Sequence, residues 1–288
     1  MKIAIASGKG GTGKTTLSVN LAYYLSGKLG KKVVLADLDV EEPNSGLFLK
    51  GKLLKEQPEY RPVPVWQPDK CTFCGKCNSL CNFNAIASLP KTILVFKELC
   101  HSCYACSELC PEDALPMENL KMGISRVFSI NQNFTFLEGV LDIGQESAVP
   151  LIKKIKELAE NKINKDSLLL FDSPPGTSCP VIEATKDADL VILITEPTPF
   201  GFHDLRLAVK TMRELDKKIL VVINRYGIGN KDIEKYCKKQ NIEIAGKIPY
   251  SRKVAELYSK GLLLESCLEV QKELEKIAKQ IYTNLNIY

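Results

Sequence analysis

The chain has 288 residues, 45% of them apolar and 25% charged, with a net charge of +5. These values lie near the globular average and exclude disordered, collagen-like, coiled-coil and small disulfide-stapled classes. So mild a positive excess nominates no nucleic-acid partner. No run approaches the roughly 18 consecutive apolar residues of a membrane span, and Met1-Lys2-Ile3-Ala4-Ile5-Ala6 runs into glycines with no leader cleavage site. A cytoplasmic protein with no membrane partner is therefore expected, and in that compartment eleven cysteines argue for metal or redox chemistry instead of disulfides.

The first predicted element is a strand, Ile3–Ala6. It is followed by Gly8-Lys9-Gly10-Gly11-Thr12-Gly13-Lys14-Thr15-Thr16 and then by leucines at helical spacing, Leu17, Leu21, Leu25 and Leu29. A strand, a G-x-x-x-x-G-K-T loop and a helix form the context of a phosphate cradle. The glycines let backbone N–H groups turn inward around the β- and γ-phosphates, and the helix start adds partial positive charge. Lys14 supplies a point charge and Thr15 a hydroxyl for Mg²⁺. A second strand, Val33–Ala36, ends on Asp37-Leu38-Asp39. Carboxylates just past parallel strands stand beside such a loop, where they can hold Mg²⁺ waters and orient an attacking water.

The pattern then breaks. Pro58 to Pro68 contains four prolines and Trp66, the only tryptophan, and the cysteines crowd together from there to about Met117. Residues 58–117 read as an inserted domain, dividing a main domain of residues 1–57 and 118–288. Within the insert Cys71, Cys74, Cys77 and Cys81 recur 29 residues later as Cys100, Cys103, Cys106 and Cys110, and Ala85-Ile86 recurs as Ala114-Leu115, the mark of a duplicated unit. Zinc sites seldom show the third cysteine of each block or the duplicated phase. His101, between two cysteines, reads as a solvated loop residue.

Alternation then resumes. A helix carries Leu151, Ile152, Ile155, Leu158 and Ala159, and the strand Leu168–Phe171 ends on Asp172-Ser173-Pro174-Pro175-Gly176. Strands Leu190–Ile194 and Ile219–Ile223 follow, with Asn224-Arg225 after the second, and a last helix presents Leu274, Ile277, Ile281 and Leu285 on one face. Nearly continuous apolar strands alternating with helices predict an α/β fold with a doubly wound, mostly parallel sheet. The last helix is expected to dock on it. His203 reads as a residue of a helix start, and Cys237 and Cys267 as ordinary buried thiols.

The loop with its extra Lys9 resembles the deviant Walker A motif of the MinD/ParA/Mrp and nitrogenase iron protein superfamily, and the likeness covers nearly the whole chain outside the insert. It implies that Lys9 reaches across a nucleotide-dependent homodimer, or a heterodimer with a paralogue, to the partner's nucleotide. It places Asp37–Asn44 as switch I, with Asp39 positioning the water, and Asp172 in the Walker B and switch II segment, binding Mg²⁺ through water. Asn224 and Arg225 then border the adenine, with Pro249 of Gly246-Lys247-Ile248-Pro249 nearby. A guanine-reading Asn-Lys-x-Asp pattern is absent, which favours ATP. Cys179 stands seven residues after Asp172, where the nitrogenase iron protein carries one ligand of a bridging cluster. The second cysteine that such a cluster needs is missing between Leu141 and Phe171, so Cys179 reads as inert.

Two C-x₂-C-x₂-C-x₃-C blocks resemble the bacterial ferredoxin run, in which the fourth cysteine of each block serves the other cluster. That resemblance implies one [4Fe–4S] cluster on Cys71, Cys74, Cys77 and Cys110 and another on Cys100, Cys103, Cys106 and Cys81. Cys110-Pro111 keeps the usual proline, whereas Asn82 follows Cys81. The whole resembles MinD-superfamily ATPases with an inserted ferredoxin domain. It implies an ATPase with Lys9, Lys14 and Asp39 as catalytic residues that gates electron transfer to a redox partner protein. The alternatives are a cluster assembly or carrier ATPase of the Mrp branch, a redox-sensing regulatory ATPase, and a carboxylate-phosphorylating ligase.

Overall fold

The computed structural model describes residues 1–164 and 166–286. In chain order the strands are β1 (Lys2–Ala6), β2 (Val33–Asp37), β3 (Lys52–Pro64), β4 (Ile86–Leu89), β5 (Thr92–Val95), β6 (Met117–Asn131), β7 (Phe134–Leu141), β8 (Leu168–Asp172), β9 (Leu190–Thr195), β10 (Ile219–Tyr226) and β11 (Glu243–Pro249). The helices are α1 (Lys14–Gly27), α2 (Lys76–Leu80), α3 (Ala105–Glu108), α4 (Val149–Glu160), α5 (Cys179–Thr185), α6 (Pro199–Glu214), α7 (Asp232–Lys239), α8 (Arg252–Ser259) and α9 (Leu268–Leu285).

The chain divides into two compact units. The first comprises Met1–Glu56, Ser125–Val140 and Ile152–Tyr288, and the second Gln57–Ile124 and Leu141–Leu151. The division falls inside β3, β6, β7 and α4. The second unit contains all of residues 58–117 and adds a short stretch on either side of the β6–β7 turn.

In the first unit the sheet order is β11-β10-β9-β1-β8-β2-β7, with β6 and β3 continuing the same sheet. The pairs β1–β8, β1–β9, β9–β10, β10–β11, β2–β8 and β2–β7 are all parallel. Every residue of β2, β8 and β9 is buried, as continuous apolar runs demand when helices cover both faces. Ile3, Ile5, Leu17, Leu21, Leu25, Leu170, Ile192, Leu274, Ile277 and Ile281 share one core. The docked last helix therefore has its expected role. Its Ile277 lies so close to Gly246 of β11 that a Cβ there would collide with it.

Two readings of the sequence change here. Leu29 lies beyond the end of α1 and is exposed, because the helix stops before Gly30, whose φ of 61° ends helical geometry. The proline-rich stretch from Pro58 is not a break in structure as far as Pro64: β3 runs through it. Proline lacks the N–H that a ladder needs and is tolerated in an edge strand, and β3 is the edge of the sheet.

In the second unit, β4 and β5 form an antiparallel pair with Ile86 opposite Val95. Ile86, Ile93 and Leu115 pack with Trp66, Cys71, Cys77, Cys81 and Cys106. The duplication is repeated in the backbone. Positive φ occurs at Phe73, Gly75 and Asn84 and again at Ser102, Tyr104 and Asp113, each pair 29 residues apart.

Candidate functional site

The loop between β1 and α1 folds on short-range and long-range restraints. Ser7 Oγ donates to the Lys9 carbonyl at 2.6 Å, and Gly11 and Gly13 have φ of 73° and 100°. A side chain at Gly8 would run into the backbone carbonyl of Asp204 on α6, and one at Gly13 into the Asn224 amide. Asn224 Nδ2 donates to the Thr12 carbonyl at 2.8 Å, tying the end of β10 to the loop. Gly13 caps α1 without any side-chain hydrogen bond, so the first-turn N–H groups stay available to an anion. Lys14 is buried. The hydroxyls of Thr12 and Ser173 are buried and lack a protein partner. Unpaired buried donors beside a cradle of N–H groups fit a triphosphate, which would satisfy them.

Asp37 and Asp172 end β2 and β8 and are register partners on these adjacent parallel strands. Asp37 Oδ1 accepts from the Asp39 N–H at 3.1 Å, and Oδ2 accepts from the Asn44 and Ser45 N–H groups at 3.1 and 2.9 Å. Asp172 accepts from Ser18 Oγ at 2.9 Å and Ser45 Oγ at 3.2 Å, and the Thr15 side chain also favours its ionised form. Burial, then the neighbouring Asp172 carboxylate, pushes Asp37 up to about 8. Burial likewise raises Asp172, against the hydroxyl bonds and the Lys14 charge. Asp39 rises to about 6, mainly by burial, with Lys14 opposing. Two carboxylates that resist ionising side by side, lined with hydroxyls and next to a lysine, form a donor set suited to a hard divalent cation such as Mg²⁺.

Glu196, just past β9, is absent from the sequence reading. Its carboxylate holds Lys9 Nζ at 2.6 Å and Arg225 Nη1 at 2.9 Å. Arg225 has a φ of 52°, in the left-handed region near the end of β10. The available signal was an acid at the C-terminal edge of an all-apolar strand, the edge where parallel sheets bind ligands. Asn224 Oδ1 accepts from the Arg225 N–H at 2.9 Å, so in this structure the amide is engaged on both sides. Pro249 lies opposite Tyr226 on the neighbouring strand, and Thr16, on α1, accepts from Asn20 Nδ2 through its carbonyl.

In the second unit the eight block cysteines sort around two cavities. Cys71, Cys74, Cys77 and Cys110 line one, with Phe73, Ile93 and Leu115. Cys81, Cys100, Cys103 and Cys106 line the other, with Phe83, His101 and Tyr104. Backbone N–H groups donate to sulfur in matching places: Phe73 to Cys71 at 3.4 Å and Ser102 to Cys100 at 3.4 Å, then Ala85 to Cys81 and Ala114 to Cys110, both at 3.3 Å. Burial, with Cys100 and Cys103 nearby, pushes the Cys106 thiol up to about 11, and burial raises Cys77. Among the described residues no three His, Cys, Asp or Glu side chains converge on a single ion. The His101 ring stacks on Phe83 at 3.8 Å. Cys179 is exposed at the start of α5, whereas Cys237 and Cys267 are buried, and burial pushes Cys237 up to about 11.

A mostly parallel α/β sheet with a glycine phosphate loop opening α1, and two acids at adjacent strand ends, defines a P-loop nucleotide-binding protein. The CbiA family model, described as the CobQ/CobB/MinD/ParA nucleotide binding domain, matches residues 3–264, and the chain belongs to this family, as a P-loop ATPase of the MinD/ParA class. It is 33% identical to an uncharacterized protein of Methanocaldococcus jannaschii over 99% of this chain and 96% of that one. It is 24% identical to an iron-sulfur cluster carrier protein of the same organism, over 97% of this chain and 83% of the relative. Among solved structures, the septum site-determining protein MinD of Pyrococcus horikoshii, complexed with Mg-ADP, superposes with a TM-score of 0.59 at 20% identity, covering 97% of this chain and 95% of that one. Among the described residues no helix is long and apolar enough to cross a membrane.

Proposed function

We propose that this ATPase is an iron–sulfur protein whose residues 58–117 form a ferredoxin domain with two [4Fe–4S] clusters, and that its nucleotide state gates electron transfer through them to a partner protein. The observation that supports this most is the sorting of eight thiols into two cavities by the crossed pattern: three cysteines of one block with the fourth of the other. Four thiolates that each bond a different iron stand on the walls of a cavity and do not converge on a point. Donation from N–H groups to the sulfurs fits anionic thiolates. When bound, the clusters supply one-electron carriers.

At the nucleotide site Mg²⁺ would neutralise charge between the phosphates. The backbone of Gly8–Gly13, Lys14 and Thr15 would hold the phosphates, and Asp37 and Asp172 the Mg²⁺ waters. Asp39 would orient the attacking water, and Asn224, Arg225 and Pro249 would border the base. Lys9 would leave Glu196 to reach the nucleotide of a second copy or a paralogue. A carrier role is the second reading, favoured by the likeness to a relative named as a cluster carrier. Thiols held by N–H bonds within cavity walls suit resident clusters better than transferred ones.

Anaerobically purified protein is expected to contain about eight iron and eight sulfide per chain. About four zinc, or no iron, would overturn the cluster assignment. Clusters that persist under chelator with ATP support electron transfer, whereas rapid loss supports the carrier. Redox titration with ADP and with a non-hydrolysable ATP analogue tests gating, which requires the midpoints or transfer rates to differ.

A further inference from the structure

The duplication in the second unit leads to an expectation of two equivalent electron sites, and one residue breaks it. The Cys100 N–H donates to the Lys97 carbonyl as the Cys71 N–H does to that of Pro68, and Leu99 and Lys70 repeat the same turn. Onto the second copy of this turn, and not the first, β3 places Arg61. Its side chain is 1% exposed. Arg61 Nη1 donates to the Cys100 carbonyl at 2.5 Å, and Nη2 donates to the Lys97 carbonyl at 2.7 Å and to Gln145 Oε1 at 3.3 Å. Arg61 Nε has no partner. Among the described residues no cationic side chain donates to the carbonyls of Pro68 or Cys71.

These acceptors are all neutral, so the guanidinium charge is not cancelled where it is bonded. Guanidinium keeps its proton even when buried. Glu98, whose carboxylate also acts on Arg61, is exposed and therefore well screened. At the other site Lys76 lines the cavity, but it too is exposed, and salt and water weaken its field. A buried cation fixed to the backbone of a ligand cysteine acts through a lower dielectric, and it favours whichever state of that site carries more negative charge.

We infer that Arg61 makes the Cys81, Cys100, Cys103 and Cys106 site the higher-potential of the two, so that an electron delivered to the protein comes to rest there. This rests on the proposed occupation of both cavities by clusters. Arg61 acts as a positioning residue: it bonds the backbone of a ligand and donates no bond to the reacting atoms.

The test is a dithionite redox titration of the anaerobic protein followed by electron paramagnetic resonance, with iron and sulfide measured on every sample. Two midpoints are expected, and their separation should survive about 1 M salt, where the screening length is about 3 Å. Cys103→Ser should alter the upper wave and Cys74→Ser the lower. Arg61→Met should lower the upper midpoint by about 59 mV, a tenfold change in a one-electron equilibrium, and leave the lower one in place, while Arg61→Lys should retain most of it. Equal midpoints, an upper wave that follows Cys74→Ser, or an Arg61→Met variant with full iron and both midpoints unchanged would overturn the inference. If Arg61→Met loses iron, the two cysteine variants still decide the assignment. A wild-type protein without iron and sulfide fails the cluster reading instead.

Discussion

Glu196 holds both Lys9 and Arg225, so the lysine that the family resemblance sends to a partner's phosphate is tied within its own chain. Glu196 is buried and Lys9 about one-third exposed, a setting in which such a pair stabilises by about 1 kcal/mol. Glu196→Gln should therefore lower the ATP or protein concentration needed for dimerisation roughly five-fold, as read by light scattering after size exclusion; an unchanged midpoint would show that the pair is no restraint. The acids at the end of β2 give a pH dependence. Asp37 rises to about 8 and Asp39 to about 6 in the folded chain, against about 3.9 when unfolded. The folded state thus binds more protons across this window, and the contribution of these groups to stability falls as pH rises from about 4 to 8. Mg²⁺ with nucleotide would supply the missing positive charge. The increment it adds to Tm should grow from pH 6 to pH 8 in thermal denaturation scans, and an increment that shrinks would contradict the assignment of these carboxylates to Mg²⁺.

At the scale of elements, the cysteine blocks and the strand ends behave differently. Each block brings three thiols to one cavity by local geometry, with α2 and α3 carrying the third cysteine, whereas the fourth crosses to the other cavity. Cys81→Ser should accordingly damage the cluster of the second block and Cys110→Ser that of the first, as seen by iron content and spectroscopy of each variant. Damage confined to the mutated block's own cluster would mean two independent sites. The parallel strands β1, β2, β8, β9 and β10 were legible as apolar runs because they are buried on both faces. The strands β3 and β6 were not, since most of the β3 residues before Glu59 are exposed, with Lys52, Lys55 and Glu56 interrupting the apolar pair Leu53-Leu54, and β6 alternates irregularly, leaving no continuous run to read.

For the whole molecule, ATP with Mg²⁺ is expected to drive self-association. Lys9→Ala should abolish hydrolysis and dimer formation while some nucleotide binding survives, because the loop backbone and Lys14 remain. Asp39→Ala should instead bind ATP and stay dimeric with hydrolysis reduced by about 100-fold or more, the usual scale for a residue that orients a nucleophile. Sedimentation alongside phosphate release separates the two: a Lys9→Ala protein that still dimerises, or an Asp39→Ala protein with full turnover, would sink the corresponding role.

The sequence by itself determined the α/β class, the glycine loop and its lysines, the acids Asp37, Asp39 and Asp172, and the spacing of eight cysteines. Each of these is a local pattern, set by backbone reach, strand burial or the geometry of one turn. Tertiary structure alone decided that Asp37 and Asp172 face each other across β2 and β8, that Glu196 captures Lys9 and Arg225, that Asn224 binds the Thr12 carbonyl, and that Arg61 lies buried against the backbone of one cysteine block. These partners lie from 29 to more than 200 residues apart in sequence, and a charge or an amide carries no local signal of which distant group it will meet once the sheet has formed.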